Sequence, residues 1–129
     1  MENYFVINSQ LPSLNQVIDK NRANRFAGAK MKKDIETIIG WNIKLGVARG
    51  HLRSVSRPCV IQIDFYEKTK RRDVDNIQSS TKFILDAMVK HGILLNDSRR
   101  YVKQIYHEIY DSDRDYVVVR IFEDKKVSN

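Results

Sequence analysis

The stretch PCVIQIDFYEKTKRRDVDNIQSSTKFILDAM, residues 58–88, passes from the periodicity of a strand to that of a helix. Residues 58–67 alternate between apolar and polar side chains, which predicts a strand. From residue 75 to residue 90 the apolar side chains recur at helical spacing instead. One face of that predicted helix carries Ile77, Thr81, Ile84, Leu85 and Met88. The charged residues between the two elements are predicted to form a loop.

The rest of the chain predicts three more strands and one more helix. The strands are residues 3–9, 101–109 and 116–123, and the helix is residues 29–48. The charged stretch YDSDRD separates the last two strands and favours a β-hairpin. The basic segment 16–30 has weak periodicity and is predicted to be a loop, and the final residues DKKVSN are predicted to be a frayed tail.

This pattern contains no internal repeat, no low-complexity linker and no shift in composition. It predicts one domain, residues 1–129, of the α+β class. We expect a mixed β-sheet of about four strands packed with two to three helices.

Composition indicates a soluble globular protein. The chain has 129 residues, of which 42% are hydrophobic and 30% charged, so it can bury a core of its own. No apolar run reaches the roughly 18 residues of a bilayer-spanning helix, and the start MENYFVINSQ lacks the pattern of a signal peptide. We therefore expect a cytoplasmic protein without a membrane partner. The single cysteine, Cys59, is expected to be a buried, reduced thiol.

The charge balance favours a polyanionic partner. Lys and Arg total 23 against 16 Asp and Glu, which gives a net charge of +7 at pH 7. Neutralising nucleic-acid phosphates releases counterions, so such an excess favours binding to DNA or RNA. Many basic proteins bind no nucleic acid, however, and the positions of the charges matter more. The basic residues cluster in residues 19–33, 68–72 and 97–103, and two of these clusters adjoin aspartates.

Asp73 and Asp75 are candidate metal ligands. In an extended chain, side chains two residues apart project to the same side, roughly 6–7 Å apart. Here they would lie beside the positive end of the helix that follows. Asp97, after that helix and the next turn, supplies a third carboxylate, and carboxylate oxygens are ligands that Mg²⁺ prefers. The alternative is a solvated loop in which Asp73 or Asp75 caps the helix.

Basic residues flank both aspartate positions, as expected where a phosphodiester approaches a metal. The candidate phosphate-binding residues are Lys70, Arg71, Arg72, Arg99 and Arg100. Lys82, farther along the predicted helix, can reach a phosphate oxygen. Its alternative role is a surface ion pair with Asp86, four residues on.

The segments RRDVDNIQ, KFILDAM and GILLNDSRR together resemble the signature of the RusA family of Holliday junction resolvases. Asp73, Asp75 and Asn76 match its D-x-D-N element, Lys82 and Asp86 match its lysine and second aspartate element, and Asp97 matches its third carboxylate. The segment LPSLN, residues 11–15, is similar to the family's Pro-Ser-x-Asn opening. Lys82 lies farther from Asn76 than in the shortest members of the family.

The resemblance implies a homodimeric endodeoxyribonuclease, encoded by a phage or prophage in a bacterial host. Such an enzyme uses Mg²⁺, or Mn²⁺ in its place, to resolve four-way junction DNA by paired symmetric nicks during recombination and repair. Metals held by Asp73, Asp75 and Asp97 would activate a water and offset charge on the leaving oxygen. Lys82 would stabilise the developing negative charge. Two alternatives remain: a non-catalytic basic DNA-binding module, and a nuclease for other branched DNA.

The remaining polar and aromatic residues are assigned to structural roles. The second D-x-D pattern, in DSDRD, is interpreted as a charged turn. Surface or capping roles are expected for His51, His91 and His107. Trp41 and most other aromatic residues are expected in the core, with DNA contact as the alternative for Tyr4, Phe26 and Tyr101.

Overall fold

The sheet is built around strand β2, Cys59–Glu67, which pairs with a strand on each side. The other strands are β1 (Tyr4–Ile7), β3 (Val102–Asp111) and β4 (Tyr116–Glu123), in the order β1-β4-β2-β3. β3 runs parallel to β2, whereas β4 is antiparallel to both β2 and β1. The computed structural model describes residues 2–123, so the predicted tail lies outside the described residues.

Four helical segments accompany the sheet within residues 2–123. They are α1 (Leu14–Ala23), α2 (Arg25–Ala48), α3 (Val74–Gln78) and α4 (Thr81–Lys90). Because α3 is little more than one turn, three longer helices pack with the four strands. The prediction of an α+β domain with a mixed four-stranded sheet is confirmed. None of the helices described has the length and apolar character that crossing a membrane requires.

One face of the sheet packs against α2 and α4. Ile61, Ile63 and Phe65 of β2 point to this side and are fully buried. α2 contributes Ile35, Ile39 and Ile43, and α4 contributes Phe83, Ile84, Ala87 and Met88. Since residues four apart share a helix face, each helix buries one stripe against the strands. Cys59 joins this core as a buried free thiol, as predicted, and burial raises its pKa to about 11.

The prediction that Trp41 lies in the core is wrong. Its side chain is 72% exposed. Trp41 is two residues from both Ile39 and Ile43, and two helical positions correspond to a rotation of about 200°. The helix that buries these isoleucines therefore turns Trp41 away from the sheet.

The opposite face of the sheet carries aromatic side chains. Tyr66 stacks on Tyr110 at 4.9 Å and on Tyr116 at 4.2 Å between ring centroids. Asp64 is buried beneath this face and pairs with Arg120 of β4. Alternation along β2 thus separates an aliphatic face under the helices from an aromatic and charged one.

The predicted hairpin between the last two strands is wrong. β3 and β4 do not pair with each other, because β2 lies between them. The connection at residues 112–115 instead crosses the end of β2, where the Ser112 amide donates to the carbonyl of Glu67 at 3.0 Å. A short linker favours a hairpin only when no third strand lies between the two strands that it joins. Here β3 and β4 each pair with the buried strand β2 instead.

The prediction of a loop at residues 16–30 is also wrong, because α1 and the start of α2 occupy it. Ser13 and Gln16 form a reciprocal capping box at the start of α1. Asn24 then ends α1 and caps α2, accepting from the amides of Phe26 and Ala27. α1 has no fully buried residue, and Leu14 and Val17, which pack against the core, lie in its first half, so its helical spacing is short and is followed by a polar segment.

The predicted helix 75–90 is divided into α3 and α4 at Ser79 and Ser80. The Ser79 hydroxyl donates to the Asn76 carbonyl at 2.7 Å, and the buried Ser80 hydroxyl donates to the Ile77 carbonyl at 3.0 Å. Serine side chains compete in this way for backbone groups. The break therefore falls between Asn76 and Lys82.

His107 of β3 is a partly buried titratable group between the sheet and α4. Its Nε2 lies 2.8 Å from the Thr81 hydroxyl, and its ring stacks on Phe65 with 6.0 Å between centroids. Burial lowers the pKa of His107 below its ordinary value of 6.5. The neutral ring is therefore the form that the fold accommodates.

We predict that the free energy of unfolding falls as the pH drops through about 6.5, because the unfolded chain then binds a proton that folded His107 resists. The stabilisation that neutral His107 provides is fully present above its ordinary pKa. It is lost as the pH falls toward the lowered pKa of the folded state. Urea unfolding between about pH 7.5 and about pH 5.5 measures the slope. His107→Gln should reduce it, and an unchanged slope in this variant would contradict the assignment.

Candidate functional site

Asp73 and Asp75 are both exposed at the start of α3. Asp73 precedes the first turn in an extended conformation, with φ −72° and ψ 155°, and its side chain makes no capping hydrogen bond. Asp75 is already helical, and its Oδ1 accepts from the Asn76 amide at 3.0 Å. The extended geometry assumed from the sequence therefore includes Asp73 but ends before Asp75.

Asp97 is exposed in the turn between α4 and β3. That turn is closed by Asn96, whose Oδ1 accepts from the Ser98 amide at 2.9 Å, and by two further amides that donate to the Ser98 carbonyl. Within residues 2–123, no three His, Cys, Asp or Glu side chains lie close enough together to hold a metal ion. The grouping of Asp97 with Asp73 and Asp75 stays a prediction from the sequence.

The chemistry of these three side chains fits Mg²⁺. Each is an exposed carboxylate, and Mg²⁺ commonly takes one or two protein carboxylates and completes its shell with water. Asp73 and Asp75 alone supply that number. Asp73 and Asp75, which we name the candidate metal-binding edge, are exposed, so water can reach an ion that they hold.

The LPSLN segment is attached to α3. Asn15 Nδ2 donates to Asn76 Oδ1 at 3.1 Å, and the Leu14 amide donates to the Ser79 hydroxyl at 3.0 Å. Two motif segments that are distant in sequence are thereby joined beside Asp75. Asn15 and Ser79 were not among the predicted site residues, although Asn15 belongs to the LPSLN pattern.

Arg72 points into the protein, unlike its neighbour Arg71. Its side chain is 16% exposed, with Nη1 donating to the Leu11 carbonyl at 2.8 Å and Nε 3.6 Å from Glu67 Oε1. Gln10 also donates to Glu67, at 3.5 Å. Burial raises the pKa of Glu67, and the Arg72 charge only partly offsets this. Arg72 therefore fixes the loop to the end of β2 and to the segment that precedes α1.

The other end of the basic loop is held by the connection between β3 and β4. Asp115 Oδ1 accepts from the Lys68 amide at 2.7 Å, and Lys70 lies 3.7 Å from Asp111 in an exposed ion pair. The second D-x-D pattern thus forms a charged connection that supports the loop. Arg71 lies exposed between the two attachments.

The remaining predicted cations are on the surface. Arg99 and Arg100 are exposed in the turn that contains Asp97, and the Arg100 guanidinium lies 5.6 Å from the centre of the Tyr101 ring. Lys82 forms the alternative contact considered above, an exposed ion pair with Asp86 at 3.7 Å. Such pairs contribute roughly 0.3–0.5 kcal/mol and leave the lysine free to exchange partners.

Comparison with known proteins adds no support for the family resemblance. No family model matches the chain, and no curated protein matches it. The resemblance to the RusA family therefore rests on the quoted segments and on their order along the sequence.

We predict that Arg72→Ala lowers the free energy of unfolding by about 1–3 kcal/mol, because it leaves Glu67 buried without a counter-charge. Arg71→Ala removes the same charge from an exposed position and should change stability by less than about 0.5 kcal/mol. Urea unfolding of both variants measures the difference. Equal effects would mean that the Arg72 contacts do not hold the loop.

Proposed function

We propose that this protein is a Mg²⁺-dependent endodeoxyribonuclease that resolves four-way junction DNA by paired symmetric nicks. The observation that carries this proposal is the placement of the carboxylates. Asp73 and Asp75 are exposed at the end of a basic loop that is fixed at both sides, by Arg72 and by the β3–β4 connection. A fixed loop can present negative and positive groups to one phosphodiester without reordering.

Asp73, Asp75 and Asp97 would hold Mg²⁺ or Mn²⁺, which when bound supplies an activated water and neutralises charge at the leaving oxygen. The exposed cations Lys70, Arg71, Arg99 and Arg100 bind backbone phosphates without reading sequence. Arg72 orients the loop from within. Lys82 exchanges Asp86 for a non-bridging phosphate oxygen and donates to it as negative charge develops.

A homodimer completes the proposal. A four-way junction offers two equivalent strands, and two copies related by a two-fold axis place one site on each. This arrangement belongs to DNA recombination and repair in the cytoplasm of a bacterial host that carries the phage or prophage gene. A nuclease for other branched DNA and a non-catalytic DNA-binding module are the alternatives that the assays below separate.

We predict that Asp75→Asn abolishes Mg²⁺-dependent cleavage of a synthetic four-way junction but keeps binding to it. The change removes a metal-binding charge and leaves the basic surface intact. The matched control is Asp113→Asn, the same change in the second D-x-D pattern, which should cut like the wild type. Cleavage and electrophoretic mobility shift are measured on junction, flap and duplex DNA.

Each other outcome of that assay has a definite meaning. Wild-type protein that binds junctions and never cuts with Mg²⁺ or Mn²⁺ would be a binding module. Equal cutting of flaps would assign the protein to branched DNA in general. Loss of binding together with cleavage in Asp75→Asn would give Asp75 a structural role.

We predict that Lys82→Ala lowers the single-turnover cleavage rate by about 10²-fold or more with little change in affinity, the scale of losing one transition-state donor. Asp86→Ala breaks the same ion pair but keeps the lysine, so its rate should stay within about threefold of wild type. Rapid-quench measurements with junction pre-bound compare the two variants. A Lys82→Ala rate within threefold would restrict Lys82 to its surface pair.

A further inference from the structure

A second basic surface lies in a cleft between α2 and the C-terminal end of α4, away from Asp73 and Asp75. The cleft has a volume of about 600 Å³. Its charged and aromatic lining is Lys32, Lys33, Lys44, Lys90, Glu36 and Trp41. α4 alone is roughly 15 Å long, and α3 with Asp73 and Asp75 lies beyond its other end. The cleft is therefore separate from Asp73 and Asp75.

The electrostatics of the cleft favour an anion. Four lysines line it against one carboxylate, and among residues 2–123 none of these lysines forms an ion pair. His91 also lines the cleft, and its pKa is lowered. Burial is the larger cause, and the positive charges of Lys44 and Lys90 add to it. Lysines held together without carboxylate partners repel one another, and a phosphate backbone relieves that repulsion.

Trp41 adds a second kind of recognition at the same place. Its indole is 72% exposed in the cleft lining, although a tryptophan is usually largely buried. An exposed aromatic ring among lysines is the arrangement by which proteins stack a nucleic-acid base while cations hold its phosphates. An acidic peptide or an anionic lipid headgroup would use the lysines but has no planar base for the indole.

Gly40 leaves room for the ring of His91 beside α2. A Cβ atom at this position would lie 2.6 Å from His91 Nε2, closer than such atoms approach. With glycine there, the His91 side chain lines the cleft next to Trp41.

We propose that this cleft binds unpaired nucleotides of DNA, with a base stacked on Trp41 and phosphates held by Lys33, Lys44 and Lys90. This binding needs neither a metal nor the carboxylates. A flap carries unpaired nucleotides next to its branch point, and the cleft would hold such a single strand while cutting takes place elsewhere.

Trp41 is the single tryptophan of the chain, so its fluorescence reports on the cleft directly. The full-length protein is titrated in a metal chelator, which prevents cleavage, with oligothymidylate and with blunt duplex at equal phosphate concentration. We expect oligothymidylate to quench the emission and duplex to quench it much less, because duplex bases are already stacked. Equal quenching by both would overturn the stacking.

Variants test the two kinds of contact separately. Trp41→Leu should weaken oligothymidylate binding, followed by anisotropy of a labelled strand, by about tenfold or more. Lys44→Ala and Lys90→Ala should weaken it by more than Lys30→Ala, the matched control on α2, where Lys30 is paired with Asp34 at 2.8 Å. An unchanged affinity in Trp41→Leu, with the fold verified by circular dichroism, would overturn the proposal.

Two further measurements separate this inference from its rivals and from the nuclease proposal. Polyglutamate and anionic phospholipid vesicles are titrated in the same way, and quenching by either without quenching by oligothymidylate would assign the cleft to that partner instead. Asp75→Asn should retain the full quenching. Loss of quenching in Asp75→Asn would show that the cleft is not a separate site. If the protein fails to cut junctions but its fluorescence is still quenched, the nuclease proposal is wrong and the cleft proposal is supported.

Discussion

The buried carboxylate of Glu67 imposes the constraint on which the candidate site depends. It lies at the end of β2 and is 4% exposed, so its charge requires a cation nearby. Arg72 supplies that cation from only five residues away, which forces the basic loop to fold back over the strand end. The same guanidinium holds the Leu11 carbonyl, and the segment after Leu11 binds the start of α3. The Arg72 contacts with Glu67 and Leu11, together with the Asp115 contact at the other end, thus hold the loop in front of the aspartates.

Elements with strong local patterns were predictable from the sequence. β2, β4 and most of α2 and α4 follow from alternation or helical spacing, and Ile61, Ile39 and Ile84 occupy the expected core. The partner of each strand was not predictable, since pairing is decided by burial among distant segments. α1 was missed because its core-packing residues, Leu14 and Val17, lie in its first half and are followed by polar and basic residues.

For the candidate site, the types of residue could be predicted from the sequence, whereas the orientations of the side chains could not. The sequence predicted that Asp73, Asp75 and Asp97 hold a metal together; the structure shows that each is exposed, and their grouping stays a prediction. The sequence assigned both Arg71 and Arg72 to phosphate binding. In the structure only Arg72 turns inward, because it pairs with the buried Glu67. The exposure of Trp41 could have been predicted, because Ile39 and Ile43 define the buried side of α2 and Trp41 lies on the other side. The lysines of α2 and α4, however, come together around Trp41 only in the tertiary fold.

The order of the strands also determines when this protein can fold. β4 lies between β1 and β2, although it is the last strand described and β1 is the first. During synthesis, β1 therefore has no neighbour in the sheet until β4 leaves the ribosome, and until then β2 has only the parallel neighbour β3. Contacts between such distant segments slow folding and expose strand edges while they wait. A nascent chain of this protein consequently exposes an edge of β1 and an edge of β2 until β4 has been made.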